Sequence, residues 1–136
     1  GAIRGSGAGT LKLAGSSIEN CESGGDGGGI TVENSGDVEL ERSSLSYCRA
    51  AGNGGGIAMA DSGALSLTDS AVSNSTAGGG GGGISVRQSG ALALTTSSSI
   101  TDCSAGANGG GIAMADSGNL SLTDSAVSSS TAGGGG

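Results

Sequence analysis

The sequence predicts an all-β chain wound as a right-handed, three-sided parallel β-helix of about five coils. Three observations carry this reading: a repeat of about 27 residues, apolar residues that alternate within each repeat, and glycine tracts at a fixed place in four of the five repeats. The repeat is plainest in "NGGGIAMADSGALSLTDSAVS" from Asn53 and "NGGGIAMADSGNLSLTDSAVS" from Asn108, which differ only at Ala64 against Asn119. Aligning on the isoleucine after the glycines gives Ile3, Ile30, Ile57, Ile84 and Ile112, at steps of 27, 27, 27 and 28 residues. The one extra residue falls between Leu94 and Ile100. The chain divides into coils 1–26, 27–53, 54–80, 81–108 and 109–136, all in one domain.

Each strand of the unit follows from its local pattern. "GGGITVE" puts Ile30 and Val32 on one side, with Thr31 and Glu33 on the other. "GDVELE" turns Val38 and Leu40 inward and Asp37, Glu39 and Glu41 outward, and its inner column continues as Leu13, Leu40, Leu67, Leu94 and Leu122. "SLSYC" turns Leu45 inward and sets Cys48 near the next bend. A period of two means strands with one buried face. Three short strands per unit cannot bury those faces alone, but stacked units complete one another and form a continuous core. In-register coils lie about 4.8 Å apart, so five coils make a rod of roughly 24 Å. The right hand follows from the usual handedness of parallel crossovers.

Charge supports the register. A shift of 27 residues sets Lys12 on Glu39, Glu22 on Arg49 and Arg42 on Asp69, with no like-charge pair. Glycine before each isoleucine avoids a clash with the next coil and permits positive φ. Asp26, Asn53 and Asn108 precede these tracts, where their tolerance of left-handed backbone is expected to matter. A second corner ends at Gly36, Gly63, Gly90 and Gly118. The run Gly78–Gly83 is expected to be the softest stretch.

Composition narrows the function. The 136 residues include 32 Gly, no Pro, Trp, Phe or His, and Tyr47 as the single aromatic. A net charge of −7 with scattered Lys and Arg argues against nucleic acid as a partner. No apolar stretch is long enough for a membrane helix. The start at "GAI" and the end in "GGGG" read as a segment of a longer array.

The chemical motifs have plain structural readings. Cys21 and Cys48 share a column that continues as Ser75, Cys103 and Ser130; free thiols are favoured, and bonding of Cys21 to Cys48 stays open. Four-ligand zinc spacing is missing, the calcium-type glycine–aspartate repeat is not sustained, and no Gly-Lys-Ser/Thr follows the glycines. No cofactor is expected. A carboxylate chemistry would draw on Glu33, Asp37, Glu39, Glu41 and Arg42 with Lys12, but a solvated charged edge is the favoured reading of that patch. Asn74 in "NST" and Asn119 in "NLS" match the glycosylation acceptor pattern.

"GGGI" at 27–30, 54–57, 81–84 and 109–112, each followed by x-Leu-x-Leu strands, resembles the Gly-Gly-Ala-Ile/Leu/Val repeats of polymorphic outer-membrane proteins and autotransporter passengers. Gly stands where that family has Ala, and "IENC", "LSYC", "VSNS" and "ITDC" replace its Phe-x-x-Asn motif. The resemblance implies surface display and adhesion. The expected function is therefore structural and non-enzymatic: an extracellular or cell-surface stalk or filament body, with neighbouring coils, other copies end to end, and surface glycans or proteins as its expected partners. Two alternatives remain: a non-catalytic or catalytic part of a polysaccharide-active β-helix enzyme, its catalytic coils lying outside this segment or at Glu39 and Glu41, and an ice-binding solenoid. The outward column Lys12, Glu39, Ser66, Ala93 and Ser121 is too irregular to favour the latter.

Overall fold

A computed structural model describes residues 1–135. The chain is all β, and every strand pairs in parallel with its equivalent one coil away. The first ladder stacks Ile3–Gly7, Ile30–Ser35, Ile57–Ala60, Ile84–Arg87 and Ile112–Ala115. A second runs through Leu11–Ala14, Val38–Glu41, Leu65–Thr68, Leu92–Thr95 and Leu120–Leu122, and a third through Ser17–Glu19, Ser44–Ser46, Ala71–Ser73, Ser99–Thr101 and Ala126–Ser128.

A fourth ladder, which the alternation did not reveal, joins these three. Its strands are two residues long: Glu22–Ser23, Arg49–Ala50, Thr76–Ala77, Ser104–Ala105 and Thr131–Ala132. Each offers one inward residue, an alanine or serine, so the pattern has too little hydropathy and too little length to register as a strand.

The register is the expected one. Ile30 pairs with Ile57, Ile57 with Ile84 and Ile84 with Ile112, while Leu13, Leu40, Leu67, Leu94 and Leu122 form one continuous column. In the middle coils these columns are closed to solvent: Ile30, Ile57, Ile84, Leu67 and Leu94 are 0% exposed. The same columns open at the last coil, where Leu122 is 39% exposed.

Each of the four corners carries a left-handed residue. Asn34, Asp61, Gln88 and Asp116 serve after the first ladder, and Gly15, Arg42, Asp69 and Asp124 after the second. Asn20, Tyr47, Asn74, Asp102 and Ser129 follow the third, and Gly27, Gly54, Gly81 and Gly109 the fourth. The enrichment in Asn, Asp and Gly follows from their tolerance of this region. The extra residue of the fourth coil is absorbed at one corner, where Thr96 and Ser97 are both left-handed (φ 53° and 59°). Pairing resumes in register at Ser99 with Ala126.

Two expectations about the glycine corner are corrected. Asp26, Asn53 and Asn108 do not adopt positive φ; the glycine after each does. Their side chains instead accept backbone N–H groups from the next coil, as described below. Nor is Gly78–Gly83 loosely held. All six of its amides donate across coils, five to backbone carbonyls and that of Gly80 to Asn53 Oδ1 at 2.8 Å. The reason for glycine here is space: a Cβ on Gly82 would overlap the Gly110 carbonyl, and one on Gly83 would come within 2.8 Å of Ile100 Cγ2.

Candidate functional site

The corners hold most of the polar chemistry, and it faces neighbouring coils. After the second ladder, the Ser16 amide donates to Ser43 Oγ, Ser43 to Ser70 Oγ and Ser70 to Ser98 Oγ, each at 3.1 Å. Every one of these hydroxyls also donates back along its own coil, as Ser70 does to the Thr68 carbonyl at 2.8 Å. The hydroxyl thus caps the left-handed turn of its own coil and receives an amide from the coil before it. Ser62, Ser89 and Ser117 repeat the device after the first ladder. The cysteine column repeats it after the third, with the Cys48 amide donating to Ser75 Oγ at 3.4 Å and the Cys103 amide to Ser130 Oγ at 3.3 Å.

All three cysteines are free thiols. Burial pushes the thiols of Cys48 and Cys103 up from their ordinary range. Among the described residues no buried side-chain nitrogen or oxygen lacks a partner.

The fourth corner uses amides and a carboxylate. Asp26 Oδ1 accepts from the Asn53 amide at 2.7 Å and from Asn53 Nδ2 at 3.2 Å. Asn108 Oδ1 accepts from the Gly135 amide at 2.8 Å. Beside this column runs a shallow groove along the outer face of the first ladder. Its widest recess, about 470 Å³, is lined by Arg4, Ser23, Asp26, Thr31 and Glu33 among others. It continues past Ala58 and Ala60 to Ser85 and Arg87, and then to Asn108 and Met114. The charges in it are already matched: Arg4 meets Glu33 at 3.5 Å and Arg87 meets Asp26 at 2.9 Å.

The acidic patch read from the sequence is split by the fold. Glu33 faces the groove on the first ladder. Asp37 closes a corner, its Oδ1 accepting the Ala64 amide at 2.8 Å. Glu39 and Glu41 stand on the second ladder with Lys12, whose Nζ lies 3.4 and 3.8 Å from them, and Arg42 reaches Glu41 at 3.5 Å. These side chains are 42–67% exposed, so each pair adds at most about 1 kcal/mol. Of the three charge pairs expected from the repeat, only Lys12–Glu39 forms. Glu22 and Arg49 pair in register without an ion pair among the described residues, and Arg42 turns to Glu41 rather than Asp69.

No helix long and apolar enough to cross a membrane is present among the described residues. Nor do three His, Cys, Asp or Glu side chains gather there in a way that could hold a metal ion. Asn74 and Asn119 are exposed, Asn74 at the tip of a left-handed corner. The column Lys12, Glu39, Ser66, Ala93 and Ser121 is one continuous outward row.

Stacked parallel ladders, a closed apolar interior and self-satisfied corners define a parallel β-solenoid. A family model described as "Right handed beta helix region" matches residues 2–135, and the chain belongs to that family. The right-handed winding expected from crossover geometry agrees with it. No curated protein and no solved structure matches the chain.

Proposed function

We propose that this solenoid is a structural shaft, a stiff segment of an extracellular or cell-surface stalk that holds other elements apart and is not itself an enzyme. The observation that carries the reading is how the polar groups are spent. Corner hydroxyls, amides and the Asp26 carboxylate bind neighbouring coils, and the carboxylates of the groove and of the Glu39–Glu41 patch face cations of the same chain. General acid–base work needs a carboxyl free to meet a substrate proton, and these arrangements commit theirs to structure. Display at a surface, as in the outer-membrane repeat proteins that the "GGGI" units resemble, suits a slim and acidic rod.

Electron microscopy of the full-length natural material tests this. Uniform rods are expected; discrete compact particles overturn the shaft reading. A second reading, a polysaccharide-binding or polysaccharide-cleaving surface, is favoured by the groove beside the first ladder. Its test is cleavage of acidic polysaccharides by the chain. Activity that disappears in the double variant Asp26→Asn, Glu33→Gln, whose carboxylates line that groove, would establish an enzyme in place of a shaft.

A further inference from the structure

Asn74, Ser75 and Thr76 form an Asn-x-Thr acceptor pattern on the third of the five coils. The fold sorts its three residues. Ser75 is buried, its hydroxyl donating to the Ser73 carbonyl at 2.9 Å and accepting the Cys48 amide. Asn74 and Thr76 on either side of it are exposed. Two coils stack on each side of this one, so the exposure belongs to the wall of the rod. Asn53 and Asn108 spend their side chains on neighbouring coils, whereas that of Asn74 has no such partner among the described residues.

A second observation comes from the same corner. Tyr47, the single aromatic residue of the chain, is exposed and held in left-handed backbone that suits Asn or Asp better. Exposure and strain both cost the folded chain, so the ring calls for a use outside the core. Tyr47 stands one coil before Asn74 in the corner column, and Asp102 one coil after. The three share nearly the same φ (53°, 48° and 52°), and each donates its amide to the following coil. Their side chains therefore leave the corner side by side, at the coil spacing of about 4.8 Å.

We propose that Asn74 carries an N-linked glycan and that Tyr47 is the platform on which its first sugar rests. This rests on the extracellular or cell-surface reading, since the modification belongs to the eukaryotic secretory route. The transfer joins C1 of the first sugar to Asn74 Nδ2 and breaks that carbon's bond to the diphosphate of a lipid-linked oligosaccharide donor. The amide gives up one proton, and the lipid diphosphate leaves. A pyranose has an apolar face of C–H groups and a rim of hydroxyls. Tyr47 offers the face an aromatic ring, and Asp102 on the other side offers the rim a carboxylate acceptor. The glycan sets a bulky, solubilising group on one corner of the rod.

Attachment is tested by directing the chain into the secretory route of a eukaryotic host, with Asn119→Gln in place so that Asn74 is the one acceptor pattern left. Mass is read on the chain from cells and medium together. Expected is one added glycan, removed by peptide N-glycosidase and absent from Asn74→Gln. Gln88 already holds a left-handed corner, so the glutamine is tolerated there. A chain that gains no glycan overturns the proposal.

The platform is tested by thermal melting of the Tyr47 chain and of Tyr47→Asn, each made with the glycan in that host and without it in bacteria. Asn20 and Asn74 hold the same corner in other coils, so the variant keeps the fold. The glycan should raise the melting temperature of the Tyr47 chain by about 2–6 °C and leave that of the variant nearly unchanged. An equal rise in both chains, or no rise in either, overturns the role of Tyr47 even with the glycan in place. Either failure is distinct from failure of the shaft, which rods or compact particles in electron microscopy of the natural material decide by themselves.

Discussion

Asp26 Oδ2 accepts a hydrogen bond from Arg87 Nη2 at 2.9 Å, although the residues are 61 positions apart. Ala58 and Ala60 of the third coil line the strip of surface that joins the two side chains. The other carboxylate oxygen holds Asn53 through two bonds. One side chain thus ties the end of the first coil to Asn53 of the second and Arg87 of the fourth.

The two halves of that tie should differ in strength. Asp26→Ala leaves the Asn53 amide without its acceptor and should cost about 1–3 kcal/mol. Arg87→Ala removes a partly exposed ion pair and should cost about 0.2–1 kcal/mol. Asp26→Asn keeps an acceptor and should fall between them. Urea unfolding of the three variants checks the order, and an Arg87→Ala loss equal to that of Asp26→Ala contradicts it.

The corner hydroxyls should matter more than the serines on the faces. Ser70 is 3% exposed and makes two bonds through its hydroxyl. Ser70→Ala should lower stability by about 1–3 kcal/mol, while Ser66→Ala on the neighbouring outward row should stay within about 0.5 kcal/mol. Equal effects would mean that the hydroxyl column holds nothing.

Glycines that look alike in sequence should behave oppositely. Gly55→Ala drives a methyl into the Gly82 carbonyl and should cost about 3 kcal/mol or more. Gly24→Ala meets nothing within 4 Å and has ordinary φ, so it should be neutral or stabilising by up to about 1 kcal/mol. Thermal melts of the two variants decide it.

Tyr47 is 61% exposed and sits in left-handed backbone at φ 53°, in a column where other coils use Asn20, Asn74 and Asp102. Tyr47→Asn should therefore stabilise, by about 0.5–1 kcal/mol. A drop in the melting temperature would show that the tyrosine ring contributes contacts that outweigh its backbone strain.

Burial raises the thiols of Cys48 and Cys103 above 9.0, so the folded chain holds those protons more tightly than the unfolded chain does. That contribution is complete below pH 9.0 and is lost as pH rises through the raised folded values. The double variant Cys48→Ser, Cys103→Ser should lose less stability than wild type as pH climbs past that point. Thiol labelling should modify the half-buried Cys21 first and leave the buried pair until unfolding. Prompt labelling of Cys48 in the native chain would contradict the burial argument.

The ladders of Ile and Leu were legible because a period of two inside a period of 27 has one geometric solution. The fourth ladder was not, since a single alanine such as Ala50 or Ala77 carries no alternation. The corner columns were half legible. Their residues recur at the repeat distance, yet Ser70 in a serine-rich chain looks like any other serine until its partners one coil before and one coil after are known. The groove beside the first ladder was missed for a similar reason. Asp26 and Arg87 are two repeats apart, so a comparison at one repeat cannot pair them.

The doubled left-handed corner at Thr96 and Ser97 bears on how such a chain can change over generations. In a strand, one inserted residue turns every later side chain to the wrong face. Here the extra residue is taken up between Thr95 and Ser99, and the next pair is already in register. Insertions and deletions can therefore be tolerated at this corner while the walls beside it keep their reading frame. Of all places in the coil, it is where new loops could be grafted without rewriting the rest.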